Sequence, residues 1–172
     1  SSLAIAAGDG AAKTLACISG ETVTATAPTD GADTRQRFKP LATTWDFTCN
    51  VTNDSQTYYS QQRLSVRYTL TGGGSPTAPD ITRTVLGDSG TTALTQSATD
   101  LWVDAGTDWS TTDPLSGGSS SERWDATSGT SGTASAGGSV NPSYYHQFAC
   151  TCSYSLSGGG SPTAPTFNMM KA

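Results

Sequence analysis

Large and small side chains alternate from Phe148 to Leu156: Phe148, Cys150, Cys152, Tyr154 and Leu156 are separated by Ala149, Thr151, Ser153 and Ser155. A period of two sends the sets to opposite faces of a strand, so the spacing predicts a strand with one face buried. Leu64, Val66, Tyr68 and Leu70 carry the same pattern earlier in the chain. Further strands are expected around Leu15 to Ala25, Trp45 to Val51, Ile81 to Leu86 and Leu101 to Val103. No stretch shows a helical period. Short strands divided by Gly, Pro, Asp and Ser predict an all-β antiparallel sandwich.

The strands recur. Gly72-Gly73-Gly74-Ser75-Pro76-Thr77-Ala78-Pro79 returns unchanged 86 positions later as Gly158 to Pro165. In the same register Arg37-Phe38 answers Arg123-Trp124, Tyr58-Tyr59 answers Tyr144-Tyr145, Gln61 answers Gln147, and Tyr68 and Leu70 answer Tyr154 and Leu156. Nearer the start the offset is 79, matching Gly8-Asp9 to Gly87-Asp88, because the second copy carries extra residues in the polar stretch Ser116 to Ser121. Length changes in polar loops cost little, so repeats diverge there first. Two modules are expected, residues 1–79 and 80–165, followed by an extra strand at 166–172. The triple glycine allows a sharp turn or a flexible exit and the two prolines an extended path, which makes this element the expected boundary.

Composition sharpens the class. The chain holds 23 Ser and 29 Thr, with only 13% charged residues. Thr, Val, Tyr and Trp suit pleated surfaces, while 19 Gly and 8 Pro supply turns. A net charge of −5 with scattered Arg and Lys argues against a nucleic-acid partner, which needs clustered cations. No apolar run reaches the length of a bilayer span and no signal-like segment opens the chain, so a mature, processed product is expected.

Four cysteines and few lysines point to an oxidising, extracellular location. Asn50-Val51-Thr52 and Asn53-Asp54-Ser55 fit the N-glycosylation pattern and make glycans candidate partners, whereas the proline in Asn141-Pro142-Ser143 excludes that site. Cys17 shares a strand face with Leu15, and Cys49 with Trp45 and Phe47, so a Cys17 to Cys49 bridge is expected. Cys150 and Cys152 are left as buried thiols matching Leu64 and Val66, or as partners of the first pair across modules or subunits.

Glu122-Arg123-Trp124, Tyr144-Tyr145-His146-Gln147 and Gly158 to Pro165 together resemble a repeat of large archaeal cell-surface and secreted proteins. The first unit departs from it, with Phe38 for the Trp and Ser60 for the His. The resemblance covers most of the chain and implies immunoglobulin-like modules at a cell surface, such as those of an extracellular filament subunit. It implies no activity.

Candidate chemistry is sparse. Gly87-Asp88-Ser89-Gly90 copies the core of a serine-protease nucleophile motif, but the only histidine, His146, follows it and Gly8-Asp9-Gly10 lacks the serine, so a shared turn is the better reading. Pairing Asp9 with Asp88 as an aspartic-protease dyad fails because Gly, not an apolar residue, precedes each. Nothing among the Asp residues, Glu21 and Glu122 singles out a glycosidase pair. His146 has no companion histidine and Cys150-Thr151-Cys152 no second cysteine pair, so zinc is not expected. Asp30, Asp33, Asp104, Asp108 and Asp113 offer calcium oxygens on loops but suit turns better. Neither enzyme nor cofactor is therefore expected. Trp102, Trp109 and Trp124 as a sugar platform would make the chain a carbohydrate-binding or adhesive module, the alternative reading; a buried packing role fits sandwich tryptophans better.

Assembly is the remaining expectation. Residues 1–7, 80–86 and 166–172 occupy one place in the repeat, so two modules carry three such strands. A surplus strand at either end, with Leu3 and Ile5 or Phe167 and Met169 as its apolar side chains, is expected to join a neighbouring identical subunit by strand addition and so build a filament.

Overall fold

The computed structural model describes residues 18–24, 33–42, 46–49 and 56–168. These form an all-β architecture without helix, in thirteen strands. In chain order they are β1 (Thr22–Thr24), β2 (Gln36–Pro40), β3 (Asp46–Thr48), β4 (Tyr58–Val66), β5 (Thr69–Thr71), β6 (Asp80–Val85) and β7 (Asp88–Ala93). β8 (Thr99–Asp104), β9 (Asp108–Thr111), β10 (Glu122–Ala126), β11 (Ser131–Thr133), β12 (Ser139–Val140) and β13 (Ser143–Phe148) follow. No helix among the described residues is long and apolar enough to cross a membrane.

The Gly87-Asp88 element is the expected tight turn. β6 and β7 form a hairpin in which Val85 faces Asp88, joined by Leu86 and Gly87, both at positive φ (57° and 83°). Two consecutive left-handed residues twist a two-residue loop to match its strands. β6 also pairs with β9, and β9 with β11, giving a four-stranded sheet. A second sheet joins β10, β13 and β5, and a third gathers β12, β2 and β8 around β4. β1 pairs only with β3 among the described residues.

The sheets enclose one core: Leu64, Val66, Tyr68, Ile81, Leu94, Val103, Trp109, Leu115, Trp124, Ala134, Val140 and Tyr144. Three of these come from before Pro79. Sheet pairing crosses that boundary too: β4 lies antiparallel to β8 and parallel to β12, while β5 lies parallel to β13. Pro79 itself is fully buried and its carbonyl accepts from Leu94 N at 2.8 Å. The end of the first repeat is thus built into the body of the second.

The strand expected over Phe148 to Leu156 does not continue past Phe148. Residues 149–168 are irregular and exposed, including Phe167 in the expected terminal strand. The physical reason is pairing, not pattern. Their counterparts in β4 and β5 have β8, β12 and β13 as hydrogen-bond partners, whereas 149–157 has no strand partner among the described residues, and an unpaired strand is not stable in water.

Candidate functional site: the junction between the repeats

The two repeats build the same ladder twice. Arg37 faces Gln61 and Phe38 faces Ser60 across β2 and β4; Arg123 faces Gln147 and Trp124 faces His146 across β10 and β13. In both, the arginine Nε donates to the glutamine Oε1 at 2.8 Å. The first ladder then continues into the second repeat. Gln61, fully buried, donates through Nε2 to Asp104 Oδ1 at 2.9 Å, and Asp104 also accepts from Leu86 N at 3.0 Å and Gly87 N at 2.7 Å. One buried carboxylate therefore ties the β6–β7 turn, β8 and β4 together, compensating its desolvation with three donors. Arg37 closes the arrangement, with its guanidinium carbon 4.3 Å from the Trp102 ring centre.

Beyond β5 the triple glycine is not a flexible exit. Gly72, Gly73 and Gly74 all take positive φ (89°, 75° and 86°), and a Cβ on Gly74 would stand 2.4 Å from Trp124 Cζ2. The glycines allow the backbone to lie directly on the rings of the second repeat. Trp124 Nε1 donates to Gly73 O at 3.0 Å, and His146 Nδ1 faces Gly72 O at 3.1 Å. His146 stacks on Trp124 with centroids 4.3 Å apart, lies 4.3 Å from Phe148, and meets Glu122 Oε1 through Nε2 at 2.6 Å. Sequence reasoning missed this cradle. Its signal was the exact repetition of three glycines, stricter than a turn alone demands.

Apart from the His146–Glu122 pair, the chemistry candidates among the described residues do not converge. Ser89 and Asp88 lie exposed on β7, while His146 sits on β13 in another sheet. Trp102, Trp109 and Trp124 stand in three different sheets; Trp124 is buried, and the face of Trp109 meets Gly132, where a Cβ would lie 2.7 Å away. The described calcium candidates have protein partners. Asp108 accepts from Thr133, Asp113 from Ala126 N, and Asp33 from Arg35, whose hydrogen bond lowers the Asp33 pKa.

Cys49 is disulfide-bonded, and Cys150 and Cys152 are free, exposed thiols, not the buried pair the alternation suggested. Cys17, Asn50, Asn53, Leu3, Ile5, Met169, Asp9 and Asp30 lie outside the described residues. No protein-family model, curated protein or solved structure matches this chain.

Proposed function

We propose that this chain is a structural subunit of an extracellular filament or surface assembly, whose copies join head to tail by adding a strand of one subunit to a sheet of the next. The observation that carries this reading is inside the chain: β4 and β5 of the first repeat fill sheets and core of the second. A repeat that takes up a strand from its predecessor and passes one to its successor is, in effect, a filament unit. The donor and acceptor surfaces differ, so the contact propagates and does not close on itself. Main-chain hydrogen bonds supply the affinity and alternate side-chain pockets the specificity. The Ser/Thr-rich acidic composition and the two sequons support an extracellular setting, and His146 and Asp104 serve packing in this reading, not turnover.

Electron microscopy and sedimentation of the concentrated protein test it. Filaments of uniform width are expected; a monodisperse monomer at every concentration and ionic strength tried would sink the proposal.

A further inference from the structure

We infer that the exchanged segment is residues 149–165 and that it is received by the first repeat of a second copy of this chain, along β1 and the Tyr58–Tyr59 edge of β4. This rests on the filament reading above and specifies its contact. It replaces the chain termini, 1–7 or 166–172, as the exchanged strand.

The inner junction supplies the template. Residues 63–79 leave the β2–β4 ladder and enter the second repeat, and residues 149–165 are their counterparts leaving the equivalent β10–β13 ladder. Each apolar position buried at the inner junction is exposed in the second copy. Leu64 and Val66 are each 1% exposed, yet Cys150 and Cys152 are exposed; Tyr68 is 8% exposed but Tyr154 52%, and partly buried Leu70 answers Leu156 at 54%. What covers such side chains is shown by the first copy: a following repeat.

The donor is already shaped for it. Gly158, Gly159 and Gly160 hold φ values of 91°, 79° and 105°, close to those of Gly72 to Gly74, although nothing lies within 4 Å of a Cβ built on any of the three. Arg123 and Gln147 hold the geometry of Arg37 and Gln61 at the point of exit.

Among the described residues no strand occupies the matching places of the acceptor. Among the described residues β1 pairs only with β3, leaving its second edge, and Tyr58 and Tyr59 pair on one side only, with β2. Their counterparts Leu101 to Val103 and Tyr144–Tyr145 are the positions that receive β4 and β5. Transferring the inner register sets Cys150 opposite Thr22 and Ala149 opposite Val23 in an antiparallel ladder. Leu156 then lies opposite Tyr58 in a parallel one. Cys150 and Cys152 take the places of Leu64 and Val66 and become buried on assembly.

The unmodified protein tests this through its free thiols. Alkylation of Cys150 and Cys152 is expected to be fast in the monomer and at least about tenfold slower in the polymer, since burial removes the reagent's access. A chain ending at Ala149 should fold, because Ala149 N, bound to Ser121 O at 2.9 Å, makes the last backbone hydrogen bond among the described residues, and should remain monomeric; a chain ending at Pro165 should polymerise. T22C should yield an oxidised ladder whose cross-link maps to residues 22 and 150 and which disappears with C150S. Polymers in which both thiols react as in the monomer, or polymers of the chain ending at Ala149, overturn this segment while leaving the filament reading intact. Absence of any polymer overturns both.

Discussion

Asp104 is 5% exposed and carries three donors, two of them main-chain amides of the β6–β7 turn. Asp104→Ala leaves the Gln61 amide and both turn amides without that acceptor, an expected cost of about 3 kcal/mol in urea unfolding. Tyr144 is a second residue whose polar atom is spoken for: its hydroxyl donates to Thr112 O at 2.5 Å. Burial is the main cause that raises its pKa above 10.0, opposed by the Thr111 hydrogen bond and aided by Asp113. The folded state therefore holds this proton more tightly than the unfolded chain. Its contribution to stability is complete below pH 10.0 and is lost as pH rises through the raised folded value. Tyr144→Phe should cost about 1 kcal/mol at neutral pH through the lost hydrogen bond and flatten the decline in stability above pH 10, measured by unfolding at a series of alkaline pH values.

β4 serves two bodies at once. Its first half pairs with β2 of its own repeat and its second half with β8 and β12 of the next. Leu64→Ala should therefore destabilise the second repeat, by about 3 kcal/mol, although the residue precedes the repeat boundary. Cys150→Ala, at the counterpart position but exposed, should leave monomer stability within about 0.5 kcal/mol of the parent in the same unfolding experiment. This pair also marks how far the sequence reaches. Period-two alternation located the second half of β4, the strands expected around Ile81 and Leu101 correspond to β6 and β8, and the turn expected at Gly87-Asp88 is a hairpin loop of Leu86 and Gly87. The alternation over Phe148 to Leu156 was as strong as that over Leu64 to Leu70, yet the latter lies in β4 and β5, broken at Arg67-Tyr68, while residues 149–156 form no strand. Alternation records which face a strand buries when it has a partner; it does not say whether that partner lies in the same chain. Internal repetition likewise gives the length of a unit but not its phase, so a boundary placed at Pro79 divides a segment that folds with the repeat after it.

At the scale of the whole molecule the inner junction and the proposed outer one are not equivalent, and the difference sits where the repeats differ. Inside the chain, Trp124 Nε1 and His146 Nδ1 engage Gly73 O and Gly72 O beneath the triple glycine. At the proposed junction between subunits the corresponding residues of the receiving copy are Phe38, which has no N–H to donate, and Ser60, whose Oγ accepts from Gln36 Nε2 at 3.0 Å. In that proposal two side-chain hydrogen bonds of the inner junction have no counterpart between copies, so the contact between copies is expected to be the weaker link and polymerisation to be sensitive to concentration. Installing F38W and S60H together restores both donors, each contributing about 1 kcal/mol. The concentration needed for polymerisation should then fall by about 10- to 30-fold. Sedimentation across a dilution series measures it, with a chain ending at Ala149 carrying the same two changes as the reference. A threshold unmoved by the double change would mean that Gly158 to Gly160 do not lie on Phe38 and Ser60 of the neighbour.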